Sequence, residues 1–239
     1  MSYFFDLIFY WPVLNLLIYF YETVAFRDFG VAIILVTILI RLVLYPLFHK
    51  GAKQQMLMQR IQPKIKKIQE LHKHDKEKQT QALMDLYKEH GVNPFSSMLL
   101  IIVQMPIMLA LFYVARSGLV PGIIAGLYSF IPQPQITSSL FLGIIDLAKP
   151  SIFLILFAAL AQYFQSRLAL YRDPANTAPP TAAEKMARQM VFVGPIITVV
   201  IFYSLPAAIG LYWLVTSLFS VFQQIIINRH FRKGETAAI

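Results

Sequence analysis

The chain of 239 residues contains no cysteine, which excludes disulfides, thiolate metal sites and a lipid-modified cysteine. Charge is scarce as well: 14% of residues are Asp, Glu, Lys or Arg, against 57% hydrophobic residues and a mean hydropathy of +0.60. That balance is far too apolar for a soluble domain, so the chain reads as an integral membrane protein. None of the twelve acids lies deep inside a long apolar run, and no run holds a histidine that could serve as general base or proton carrier. Gly-rich phosphate loops, HExxH and GxSxG are missing too. His72 and His74 sit in a charged turn, where solvated side chains are far commoner than metal ligands. The chain is therefore not expected to be an enzyme, and no cofactor or metal is expected. Because no Lys or Arg precedes Arg27 and no small-residue cleavage site follows, the apolar start is not a signal peptide.

What is present is an all-α pattern with five apolar runs, at 29–48, 97–115, 150–168, 190–205 and 206–227. At about 1.5 Å rise per residue these are long enough to be transmembrane helices across a hydrocarbon core of about 30 Å. The fourth run reaches only about 24 Å, which predicts local thinning of the bilayer or burial of its ends. Leu205-Pro206-Ala207, with Gly210 soon after, makes the fourth and fifth helices a tight antiparallel hairpin. Residues 1–28 carry Asp6, Pro12, Asn15 and Glu22 beside Trp11 and several tyrosines. They suit an amphipathic helix lying in the extracytoplasmic interface, with a sixth span as the alternative.

Basic residues orient the bundle. Ten lie between Lys50 and Lys88, whereas residues 117–148 carry none, so 49–96 is read as cytoplasmic and 116–149 as extracytoplasmic. The loop 169–189, with Arg172, Lys185 and Arg188, and the tail 228–239, with Arg229, Arg232 and Lys233, fall on the cytoplasmic side. The N-terminus is then outside and the C-terminus inside. Within 49–96, Met58, Ile61, Ile65, Ile68, Leu83, Leu86 and Tyr87 recur at three- and four-residue spacing around a charged junction at 72–78, which predicts a helical hairpin. Its lysines are not interleaved with the aromatic residues a base-stacking platform needs, so nucleic acid is not the expected partner. A solvated cap or a contact with anionic lipid accounts for the charge equally well.

Arg41 stands in the middle of the first run, where a charge costs roughly 2.5–3.5 kcal/mol on insertion scales. With no internal carboxylate in sight, it is expected to face an aqueous cavity inside the membrane. Thr37 lies four residues earlier on the same helix face, and Pro46 leaves the carbonyl of Leu42 without its helical donor. Other polar residues inside the runs are Gln104, Gln162, Gln165, Thr198, Ser204, Thr216, Ser217 and Ser220. Taken singly, each suits ordinary interhelical hydrogen bonding. Arg41 does not, because hydroxyls and amides cannot neutralise it.

A series of short motifs follows in order: an arginine before Tyr45-Pro46-Leu47, then Gln62-Pro63-Lys64-Ile65, Leu86-Tyr87-Lys88 and Val92-Asn93-Pro94. Gln104-Met105-Pro106-Ile107, Ala110-Leu111-Phe112-Tyr113, Leu205-Pro206-Ala207, Leu211-Tyr212-Trp213 and Gln223-Gln224 complete it. From about residue 11 onward the chain resembles the YidC family of membrane protein insertases. The resemblance implies a five-helix core around a hydrophilic groove that is open to cytoplasm and lipid and closed to the outside. Arg41 is its positive charge, the glutamine of the third core span is Gln162 or Gln165, and the aromatic of the last is Trp213. Thr37, Gln104 and Tyr212 complete the expected groove, and Pro63, Lys64, Lys66 and Lys67 on the hairpin are the expected contacts for clients or partners.

The implied partners are nascent membrane proteins and membrane lipids, with a ribosome and a Sec-type translocon left open. The implied location is the bacterial plasma (inner) membrane. The chain departs from familiar members in lacking an extra N-terminal span with a large periplasmic domain, a lipoprotein cysteine and a long basic tail, so strong ribosome docking is not expected. Two other classes stay open. A secondary transporter or channel would use Arg41 as an anion site, against which stands the lack of internal repeats. A structural assembly subunit would need no cavity at all.

Overall fold

The computed structural model describes residues 3–116, 127–131, 139–170 and 182–236. Parts of the expected extracytoplasmic segment, the loop residue Arg172 and the last three residues lie outside this set. Helix α1 (Tyr3–Phe5) runs through a π-helical turn (Asp6–Tyr10) into α2 (Trp11–Thr23), and α3 (Phe29–Val43) follows. The others are α4 (Tyr45–Leu71), α5 (Lys76–Glu89), α6 (Ser96–Arg116), α7 (Ile152–Ala169), α8 (Ala182–Phe202) and α9 (Ala207–Thr236), with a two-stranded ribbon of β1 (Leu140–Phe141) and β2 (Ile145–Asp146) before α7. The molecule is an all-α membrane bundle. Among the described residues, four helices, Tyr3–Thr23, Met98–Ala115, Ile152–Ala169 and Ala207–Arg229, are long and apolar enough to cross a membrane, and the bent pair Phe29–Val43 with Tyr45–Leu71 is so when taken together.

The run expected as one span at 29–48 is broken at Leu44, where α3 and α4 meet at 70°. Pro46 in the first turn of α4 explains the place of the break: its ring cannot donate to Leu42, and proline is well tolerated at the start of a new helix. α3 opens with Asp28, whose Oδ1 accepts the amide of Val31 at 2.9 Å, and α5 opens with Asp75, which accepts from Lys78 at 3.0 Å.

Helices extend beyond two of the expected spans. The fourth begins at Ala182 rather than 190 and stops at Phe202, leaving Ser204 in a turn, yet its apolar part is only Arg188–Phe202. α9 continues to Thr236, so most of the expected tail is helical. The expected close pairing of the fourth and fifth helices also needs correcting. α8 packs along α7, while α9 packs along α7 and α3, so α8 and α9 diverge from their joint, near which Phe202 and Val199 of α8 still pack with Ile209 and Trp213 of α9. At Gly210 an added Cβ would make only ordinary contact, 3.5 Å from Leu154 Cβ, so the meeting of α9 with α7 there does not depend on glycine.

The main core gathers α2, α3, α6 and α9 around Leu14, Leu17, Val36, Val114 and Leu211. Asn15, read from sequence as interfacial polarity, is 2% exposed. Its amide nitrogen donates to the carbonyl of Trp11 at 2.8 Å and its oxygen accepts the amide of Tyr128 at 2.7 Å, so it ties the 127–131 segment to α2. A separate small core closes the α4–α5 hairpin, with Ile61, Ile65, Leu86 and Val92 buried and Leu57, Met58, Ile68, Leu83 and Tyr87 packed against them.

At the end of the bundle opposite this hairpin, the ribbon is clamped over the start of α3. Asp28 Oδ2 accepts the amide of Leu142 at 2.6 Å, and a Cβ on Gly30 would fall 2.1 Å from the Phe141 ring. The same segment caps α9: Ala207 and Ala208 donate to the carbonyls of Lys149 and Leu147 at 2.9 and 3.1 Å. Two amides that a helix start leaves unpaired are satisfied there by backbone alone.

Candidate functional site

The buried polar residues concentrate on the half of α9 nearest the α4–α5 hairpin and on the α3 face it meets. Thr216, Ser217, Gln223 and Gln224 are all buried, as are Thr37 and Arg41. The α9 positions fall in two pairs seven residues, about two helical turns, apart, which aligns them as a stripe along one helical face.

Arg41 is 6% exposed, so its guanidinium is enclosed rather than open to solvent. One Nη2 group donates to the Ser220 hydroxyl at 2.9 Å and to the Thr216 carbonyl at 3.2 Å. Ser220 Oγ in turn donates to that same carbonyl at 2.9 Å. The charge also lies over the Phe48 ring, 4.1 Å from its centroid, with Phe219 at 5.9 Å. Desolvated cation–π contacts of this kind contribute up to about 2 kcal/mol. The environment is thus aromatic and neutral, and among the described residues no carboxylate pairs with Arg41. Its Nε is buried and makes no hydrogen bond.

The other residues expected at the site fall into separate groups. Gln104 on α6 donates to the hydroxyl of Tyr212 on α9, one helical turn from Thr216, so these two belong with Arg41. Thr37 is 1% exposed and turns its hydroxyl back to the Ile33 carbonyl at 2.6 Å, sharing the face of Arg41 without touching it. Gln162 faces α8, accepting from Thr198 at 2.5 Å with its amide close above Gly194. Gln165 is half-buried one turn further along α7. Trp213 packs edge-on against Phe202 at 5.2 Å, and its indole N–H is buried without an acceptor. Arg41 and Trp213 therefore each keep one idle buried donor, at a cost of about 1–3 kcal/mol apiece.

Sequence reasoning noted Ser220 but did not join it to Arg41, and it overlooked Phe48 and Phe219. Ser220 and Phe219 stand next to each other one turn beyond Thr216, and that spacing was the available signal. Gln223, which donates to the Tyr45 carbonyl at 3.4 Å beside the break, and Asn228, which donates to the Leu168 carbonyl at 2.9 Å at the end of α7, complete the polar stripe. On the hairpin, Pro63, Lys64 and Lys67 are exposed and Lys66 is half-buried. Lys64 Nζ meets His90 Nε2 at 2.8 Å. No group of three or more His, Cys, Asp or Glu is placed to hold a metal among the described residues.

The comparisons with known proteins point one way. Residues 19–234 match the family model described as "60Kd inner membrane protein". A membrane protein insertase YidC from Fusobacterium nucleatum is 34% identical over 202 residues, covering 84% of this chain and 87% of that one. The corresponding protein of Francisella tularensis subsp. novicida is 32% identical over 205 residues, which is 86% of this chain and 33% of its own length. A crystal structure of an active YidC insertase, with its first transmembrane domain resolved, superposes with a TM-score of 0.60 at 26% identity, covering 92% of this chain and 46% of the other. With the family model matched over most of its length and a relative of similar extent, the chain belongs to the 60Kd inner membrane protein family of YidC membrane protein insertases.

Proposed function

We propose that the chain moves the short hydrophilic tails of nascent membrane proteins across the bilayer and releases their spans into lipid. The observation that carries this reading is the half-satisfied state of Arg41: a buried cation with a single hydroxyl, one carbonyl and two rings for company, and an idle Nε. Such a group is held well enough to fold but has unused capacity for a carboxylate. An acidic client tail would supply the bidentate partner that the protein withholds. Tyr212, Gln104 and the α9 stripe extend that polarity along the bundle, so a tail meets hydrogen-bonding groups over part of an otherwise dry path.

The driving force is partition of the client's apolar span into lipid, helped by the membrane potential at about 2.3 kcal/mol per charge per 100 mV. The short apolar length of α8 favours thin bilayer beside the path. Lysine and arginine placement supports an N-terminus outside and a C-terminus in the cytoplasm, which puts the hairpin with Pro63, Lys64, Lys66 and Lys67 where nascent chains emerge. A ribosome and a Sec-type translocon are further partners that this placement allows. Residues 3–23 meet the length of a span, but their buried Asn15 and π-helical turn also fit a helix lying in the outer interface.

The test is reconstitution into liposomes with a short single-span client carrying an acidic tail. Protease protection of the tail is expected only in vesicles that contain the protein, with no nucleotide supplied. Equal protection in empty vesicles would reject the proposal.

A further inference from the structure

The ribbon end of the bundle exposes four large apolar side chains from three loops: Phe26 at 98%, Ile144 at 81%, Phe130 at 74% and Leu142 at 63%. Two of them sit on unfavourable backbone. Phe26 and Leu142 both have φ of +52°, in the left-handed region that bulky residues rarely adopt, and Arg27 follows at +62°. Local hydrogen bonds hold these conformations: Arg27 N–H to Tyr21 at 3.2 Å, Asp28 N–H to Ala25 at 2.9 Å and Ile144 N–H to Phe141 at 3.0 Å. Asp28 then joins the two tips, since it also receives the Leu142 amide.

Strained turns that aim apolar side chains outward gain nothing in water, and strain of this kind persists only where the surroundings over-determine it. The patch lies at the start of α3, an apolar helix that opens at Phe29. Two cations flank it, Arg27, paired with Glu22 at 3.4 Å, and Lys149, paired with Asp146 at 3.1 Å, and both are largely exposed. Apolar tips bordered by basic side chains match an acyl boundary beneath phosphate headgroups.

We infer that the tips carrying Phe26 and Leu142-Gly143-Ile144 are seated together in the lipid interface of the leaflet at the ribbon end. They form a second membrane contact, separate from the spans, that pins the cap over the start of α3. This inference is independent of the insertase reading. Because the chain has no cysteine, the full protein can carry single spin labels at Phe26→Cys or Ile144→Cys, with Gln81→Cys on the solvent face of α5 as reference. In proteoliposomes, labels at 26 and 144 are expected to collide more with oxygen than with a water-soluble nickel complex, and the label at 81 to show the reverse. Nickel-dominated collisions at 26 and 144 would overturn the proposal. So would dipolar broadening between copies that disappears on dilution with unlabelled protein, which would assign the patch to a second copy of the chain.

Discussion

Arg41 and Ser220 lie 179 positions apart in sequence and meet at 2.9 Å, and the same serine hydroxyl steadies the Thr216 carbonyl that Arg41 also uses. Ser220 thus holds the guanidinium in place without neutralising it. Ser220→Ala is expected to cost little stability, about 0.6 kcal/mol for an interhelical hydrogen bond within a membrane. It should nonetheless change how fast acidic-tailed clients are inserted, as measured by protease protection in liposomes.

Substitutions at Arg41 itself separate charge from shape. Arg41→Lys keeps the cation over Phe48 and should retain much of the insertion, whereas Arg41→Ala should impair clients with acidic tails. Equal loss from both would assign the role to guanidinium geometry rather than to charge. Unchanged insertion by Arg41→Ala across several acidic-tailed clients would remove the attractor role.

Photocrosslinkers at Thr37, Gln165 and Trp213 should capture a stalled nascent chain, while probes on exposed Phe153 or Ile196 should not. The burial of Thr37 sharpens this expectation, because capture there requires α3 to move away from its neighbours while the client is present. A probe at 37 that is silent without client and reactive with it would report that movement. Capture confined to the outer surface of α6 would reject this route.

The hairpin should be separable from the spans. Its core of Ile61, Ile65, Leu86 and Val92 is its own, so deletion of 62–88 is expected to leave the bundle folded in detergent while reducing client delivery. Leu86→Ala should loosen the hairpin alone, by roughly 2–5 kcal/mol, seen as faster proteolysis between residues 62 and 88. Full insertion by a well-expressed deletion would make the hairpin a passive cap.

At the ribbon end, the Ser139 hydroxyl, followed by Lys149, holds the Asp146 carboxyl below the usual carboxylate range. A depressed pKa means that its stabilisation is present above the unfolded value of about 3.9 and is lost as pH falls through the lower folded value. Hydrogen exchange in residues 139–149 should therefore quicken only in acid below that range. Asp146→Asn should show fast exchange at neutral pH.

How far the sequence could be read varies by element. Helical periodicity named all but two members of the hairpin core, because a two-helix unit in water must put its few apolar residues on one face; Leu57 and Val92 lie beyond the repeat that was traced. Arg41 was conspicuous by being charged in an apolar run, but its surroundings were not. Phe48 and Phe219 carry no mark that separates a cation–π partner from an ordinary core ring. Pro46 was noted only for the carbonyl it frees, and the run 29–48 was read as one span, so the 70° parting of the two helices was not foreseen. The start of α8 and the end of α9 lie beyond the apolar runs for a different reason. Hydropathy marks where a helix leaves hydrocarbon, and backbone bonding carries it further at no cost.

The amides of Ala207 and Ala208 are received by carbonyls at Leu147 and Lys149, so the join between ribbon and α9 depends on main chain and hardly on which side chains are present. The exposed positions 142–144 and 148–150 can therefore drift in composition while the end of the bundle stays shut, provided the loop's length lets those two carbonyls reach the helix. Insertions or deletions between 140 and 150 should be tolerated far less well than substitutions there, and proline at 207 or 208, which removes a donor, should act like a change of length.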